Sequence, residues 1–349
     1  AEIQVFMQLK QSSSLLSFTS ILLVAPFFLW GTAMVAMKGV LPHTTPLFVA
    51  AIRLIPAGVI VLMFAAIAKR PQPQGWKPWL WIGAFALIDG TLFQGFLATG
   101  LVRTTAGLGS VTIDSQPLAV AVLSAWLFQE RIGVIGISGL VIGFLGISCI
   151  ALPAEWLSQF IASPLTSQID LTALFDRGEW LMILAALSMA IGTVLIRFIV
   201  RYADPVVATA WHMMIGGIPL AIGSLLWESN QWTEIDSSGW LAIAYSTVFG
   251  SAISYGLFFY FASQGNLTSL SSLTFLTPVF ALLFGSLYLG ETLDSLQWFG
   301  VSLTFVSIIT ILQRDYIWSK LTGVESVDNN SQPVVELVEL DDRVSGKSK

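Results

Sequence analysis

Four ionisable side chains interrupt long apolar runs in the first half of this chain, Lys38, Arg53, Asp89 and Asp114, and one, His212, does so in the second. A charge at the centre of a bilayer costs at least about 2.5–3.5 kcal/mol, so each must face protein or water and have a partner. Arg53 has the reach to pair with either Asp89 or Asp114. Such a pair can hold the charged end of a solute, pass a proton, or lock helices together. His212 titrates close to neutral pH and suits a proton relay as well as a hydrogen-bonded packing role. Lys38 stands near the end of its apolar run, where it either snorkels to the headgroups or acts at a gate.

Around these charges lie residues that could complete a binding cavity: Gln116 beside Asp114, and the aromatic side chains Trp30, Trp211 and Tyr255. Pro117 and Pro278 each remove an intrahelical hydrogen bond, which makes either a static kink or a hinge. Glu130 and Glu291 close the same two apolar runs, where pairing or gating suits them better than solute contact. Nothing points to catalysis. The histidines are His43 and His212, the one cysteine is Cys149, and no HExxH, GxSxG or glycine-rich phosphate loop occurs. No catalytic residue, metal, cofactor or nucleic-acid partner is therefore expected.

These residues must be positioned in a membrane. Hydrophobic residues make up 55% and charged residues 11% of the 349, against about 25% charged in soluble domains. Mean hydropathy is +0.79. The apolar runs do not alternate, which excludes a β-barrel, and helices are then the only open-chain structure that satisfies its backbone in lipid. Ten spans are expected: Phe18–Val40, Pro46–Ala68, Trp79–Leu101, Thr105–Phe128, Ile132–Leu152, Glu179–Val200, Pro205–Trp227, Trp240–Ala262, Leu267–Leu289 and Leu296–Leu312.

The chain also repeats itself. Pro117 and Glu130 return as Pro278 and Glu291, 161 residues further on in each case. At the same shift Gly31-Thr32 matches Gly192-Thr193, Trp79-Leu80 matches Trp240-Leu241, and Gly139 matches Gly300. Each copy holds five spans. An odd number turns the second copy upside down, the inverted repeat of many secondary transporters. The organisation expected is an N-terminal segment 1–17, a first repeat 18–152, an external linker 153–178, a second repeat 179–313 and a disordered tail 314–349. With both termini cytoplasmic, inner segments carry Lys10, Lys69, Arg70, Lys77, Arg131, Arg197, Arg201, Arg314 and Lys320, and outer ones only Lys38, Arg103 and Arg177, a positive-inside bias.

With Trp30-Gly31-Thr32 and Lys38 in the first span, Arg53 in the second, and Pro117…Glu130 and Pro278…Glu291 closing the fourth and ninth, the chain resembles the drug/metabolite transporter superfamily, EamA type. The stretches VAPFFLWGTAMVAMK, VAAIRLIPAG, GSVTIDSQPL and SSLTFLTP are similar to its cyanobacterial and plastid branch. The resemblance implies an all-α membrane protein of ten helices in two inverted five-helix repeats, a central cavity, and export or exchange of a small metabolite. A bacterial plasma membrane is the expected location, a plastid envelope the alternative.

The counterparts of Lys38, Arg53, Asp89 and Asp114 in the second repeat are Ile199, Met214, Gly250 and Phe275, all uncharged. A cavity with one charged wall and one apolar, aromatic wall suits an amphipathic solute such as an amino acid. The expected activity is alternating-access transport of such a solute, with proton coupling through Asp89 or Asp114 open. The rivals are an uncoupled channel and a phosphate-ester or nucleotide-sugar exchanger. The latter lacks cations, since no Lys or Arg occurs between Arg201 and Arg314. Gly139-x-x-x-Gly143 permits close helix contact, within the fold or across a homodimer.

Overall fold

The computed structural model describes residues 2–103, 113–130, 132–151, 179–289 and 295–322. Glu291, the linker 153–178, the start of the fourth span and the chain beyond 322 lie outside them. Among the described residues the fold is helical throughout. Six helices are long and apolar enough to span a bilayer, beginning at Ser20, Pro46, Trp76, Trp180, Pro205 and Ser237. Four shorter apolar helices start at Gln116, Gly133, Leu267 and Trp298, inside the four remaining expected spans.

In chain order these are α1 (Glu2–Val40), α2 (Pro46–Ile67), α3 (Trp76–Arg103), α4 (Gln116–Phe128), α5 (Gly133–Ala151), α6 (Glu179–Ile199), α7 (Pro205–Trp227) and α8 (Ser237–Gln264). Then come α9, made of Leu267–Ser272, a 3-10 turn Leu273–Phe275 and Leu276–Leu289, α10 (Ser295–Leu312) and α11 (Arg314–Thr322). At the start of the chain the helix of the first span extends back to Glu2. The first nine residues of the expected tail form α11, because Arg314 is buried with its Cδ packed over Gly136 of α5.

Helix starts follow local chemistry. Pro205 opens α7 with the Asp204 carboxylate accepting from the backbone N–H of Val206 at 2.9 Å and Val207 at 3.1 Å. Asp236 caps α8 by accepting from Gly239 N–H at 2.7 Å and from the Ser238 hydroxyl; these bonds hold its carboxyl below the usual carboxylate range. The start of α2 has no cap of its own. Glu228, just past α7, supplies it: its carboxylate accepts from Leu47 N–H at 2.8 Å, Phe48 N–H at 3.0 Å and the Thr45 hydroxyl at 2.7 Å.

The same contacts give the relative direction of the repeats. The residue past the end of α7 caps the start of α2, while Arg70, past the end of α2, pairs at 2.8 Å with Asp204 at the start of α7. Repeat-related α2 and α7 therefore run antiparallel. So do α5 and α10: Gly139 meets Ile311, and further along α5 Gly146 meets Thr304 and Gly300. The Gly139-x-x-x-Gly143 face is filled inside the fold, where Ser307 Oγ donates to the Gly139 carbonyl at 2.6 Å.

Two irregularities recur in both repeats. π-Helical turns interrupt α3 at Ala86–Phe93 and α8 at Val248–Ile253. The helical path breaks at the Asp114-Ser115 turn before α4, and tightens to 3-10 geometry at Leu273–Phe275 inside α9. Pro117 consequently sits in the first turn of its helix, where a missing N–H costs little, and Pro278 follows the tightened turn.

Candidate functional site

Two buried polar clusters sit where the repeats meet. In the first, Arg53 of α2 is 5% exposed. Its Nη2 donates to Gln94 Oε1 at 2.5 Å and its Nη1 to Met37 Sδ. Gln94 Nε2 in turn donates to the Tyr255 hydroxyl at 2.8 Å. Gln94 and Tyr255 are 161 residues apart, so each is the other's repeat counterpart. Counterparts related by a two-fold can touch only close to its axis, which places this hydrogen bond on the centre line of the molecule. Trp30 stands over Tyr255 with ring centroids 5.2 Å apart. Arg53 Nε and Trp30 Nε1 are both buried without a hydrogen-bond partner among the described residues.

A cavity of about 10 Å³ touches Arg53 and Gln94 and runs between Met37, Leu41, Val49 and Leu101. That is space for about one water, against several hundred Å³ for an occupied small-molecule site. In this conformation the guanidinium edges a closed slot rather than an open chamber.

The second cluster lies five residues back along α3. Asp89 sits on the π turn, fully buried, with Oδ2 3.1 Å from His212 Nε2. The imidazole is stacked on Phe85 at 3.9 Å and abuts Phe259 edge-on at 5.5 Å. Space for the pair is made by glycines: a Cβ on Gly192 would lie 2.4 Å from Asp89 Oδ1, and Gly90 of α3 approaches the backbone of Gly216 in α7. Phe259 also stacks on Tyr255 at 5.9 Å, so its ring separates the two clusters.

The expected site is thus only partly assembled. Arg53, Trp30 and Tyr255 come together, and Asp89 meets His212. Among the described residues no ion pair joins Arg53 to Asp89 or Asp114; Gln94 and Met37 take that place, and Asp89 meets His212 of α7 instead. Asp114 is buried in its turn. Gln116 is buried too, with Nε2 donating to Thr193 Oγ1 at 3.1 Å, and bonds α4 to α6. Lys38 is exposed in the last turn of α1 and takes no part. Trp211 does not join Tyr255: its Nε1 donates to Gln72 Oε1 at 3.0 Å and its ring meets Trp79, at the α2–α3 connection. The apolar wall also divides, since Met214 packs on Gly58, Gly250 on Ala33 and Phe275 on Gly143. Glu130 caps α9, accepting from Leu267 N–H at 3.2 Å and the Thr268 hydroxyl at 3.0 Å, with Arg197 4.0 Å away.

Gln94 was the residue that sequence reasoning passed over. Its position at the repeat shift from Tyr255 was the available signal.

Apolar helices in two antiparallel copies, with a buried polar layer on the axis between them, define a multi-pass membrane transporter. Comparison with known proteins agrees. The EamA-like transporter family model matches twice, at residues 17–152 and 176–313. The chain is 59% identical to an uncharacterized transporter of Synechocystis sp. over 92% of this chain and 98% of that one. It is 51% identical to a chloroplastic WAT1-related protein of Arabidopsis thaliana over 83% of this chain and 68% of that one. A solved crystal structure shares the fold at a TM-score of 0.69 and 16% identity, covering 88% of this chain and 99% of that one. The chain belongs to the EamA-like transporter family, within the drug/metabolite transporter superfamily.

Proposed function

We propose that this protein is a secondary carrier that exports a small amphipathic metabolite bearing a carboxylate, an amino acid or a close relative, by alternating access. The observation that carries the reading is Arg53: a buried guanidinium on the seam between the repeats, fixed through Gln94 and Tyr255, with Nε unused, on a residue that lines a small slot. A carboxylate is the natural partner of a guanidinium with an unused N–H. Trp30, its ring against Tyr255, adds apolar surface and an unused N–H to the same layer. The charge is held by one repeat and its support comes from both, so a relative movement of the repeats changes the room beside Arg53.

The membrane we assign is the bacterial plasma membrane with both termini cytoplasmic, consistent with the distribution of Lys and Arg. The test is a comparison of metabolites in medium and cells with and without the protein. Enrichment of amphipathic carboxylates in the medium is expected, and its loss in Arg53→Ala. A change confined to sugar phosphates, or none, overturns the reading.

A further inference from the structure

We propose that Asp89 and His212 form a binding site for one exchangeable proton, separate from the Arg53 layer. This rests on the transporter reading and adds the ion it handles. The site is the contact between Oδ2 and Nε2 at 3.1 Å, with the side chains 1% exposed. Its two outer atoms, Asp89 Oδ1 and His212 Nδ1, are buried and lack hydrogen-bond partners among the described residues. A pair placed only to lock helices would be expected to have those atoms satisfied.

The charge balance is simple. With one proton, held on either the carboxylate or the imidazole, the pair is neutral. Losing it leaves a lone carboxylate charge, and gaining a second leaves a lone cation. Either is costly in an apolar interior, so the closed site keeps one proton. When water reaches it, the carboxylate is solvated, the proton leaves to water, and neutral His212 remains. Reprotonation from the opposite side restores the neutral pair.

The surrounding groups permit this. From α6, Gly192 presents only backbone to Asp89. From α8, the Tyr255 hydroxyl lies within electrostatic reach of both Asp89 and Arg53, and from α2 the one ionisable group is Arg53. The other cations and phenols on the packed helices face elsewhere: Lys77 and Arg103 are exposed, Arg197 is beside Glu130, Tyr260 lies under Arg70, and the Tyr245 hydroxyl bonds Thr32.

The experiment is infrared difference spectroscopy of the full chain in lipid vesicles, titrated between about pH 5 and about pH 8, the range in which a histidine-linked site exchanges its proton. No solute is needed, so the result stands apart from whether an amphipathic metabolite is carried. We expect a protonated-carboxyl carbonyl band that titrates, disappears in Asp89→Asn, persists at a new midpoint in Asp89→Glu, and changes midpoint in His212→Gln. A spectrum identical in wild type and Asp89→Asn overturns the site. A band that Asp89→Asn removes but whose midpoint His212→Gln leaves unmoved overturns the pairing of the two groups.

Discussion

One contact sensitive to a single added carbon is the one between α3 and α7. At Gly216 a Cβ would lie 2.6 Å from the Ala86 carbonyl oxygen and 2.6 Å from the Gly90 Cα. Ordinary contact begins at 3.4 Å, so the helices would have to separate by about 0.8 Å, and the atoms in the way are backbone, which cannot rotate aside. Overpacking of this kind costs about 1–3 kcal/mol. Against it stands the gain of about 0.8–1.0 kcal/mol for Gly→Ala inside a helix. Gly256 provides the control, because nothing lies within 4 Å of its Cβ position. Gly256→Ala should therefore gain stability or hold it, and Gly216→Ala should fall below wild type by up to about 2 kcal/mol. Thermal unfolding of the purified proteins in detergent, at one lipid and detergent concentration, reads the order. A Gly216→Ala protein as stable as Gly256→Ala would refute the close α3–α7 approach, and with it the geometry that brings Asp89 to His212.

Glu228→Ala removes the acceptor that the Leu47 and Phe48 amides share among the described residues and should destabilise by about 0.5–2 kcal/mol, the range of a lost cap, in the same unfolding assay. Arg70→Ala breaks a partly exposed ion pair and should cost less than about 1 kcal/mol, while Asp204→Ala also removes the α7 cap and should cost more. Gln94→Leu leaves Arg53 and Tyr255 unbridged and is expected to reduce transport at least tenfold while the protein still accumulates, measured by uptake against membrane abundance. A cysteine placed at Ser163 should react with an impermeant thiol reagent only from the outside; labelling from the cytoplasm alone would contradict the orientation.

Much of this fold was legible because the bilayer simplifies the sequence. Apolar length marks a span, and the 161-residue shift between Pro117 and Pro278 paired the spans into repeats before any contact was seen. The irregular backbone was less legible. Pro117 and Pro278 signalled a disturbance in α4 and α9 but not its form, a turn ahead of one and a 3-10 segment ahead of the other. Nothing in the local sequence announced the π turns, one of which carries Asp89. Charge anomalies drew attention to Arg53, Asp89 and His212, all of which are buried, yet charge alone could not pair them. The bridging residue, Gln94, is uncharged, and its importance comes from lying on the axis opposite Tyr255. Trp211 is an aromatic side chain inside an apolar span, which suits a cavity wall, yet its ring faces the α2–α3 connection instead.

The central claim is that solute is bound at Arg53 by a carrier whose repeats close around it. Counterflow in proteoliposomes tests this most directly: vesicles loaded with unlabelled L-phenylalanine and diluted into a trace of labelled L-phenylalanine. The account predicts transient accumulation of label above equilibrium, competed by amphipathic carboxylates, not by sugar phosphates, and abolished in Arg53→Ala. Simple equilibration without overshoot, unaffected by Arg53→Ala, would indicate a pore or leak and contradict it.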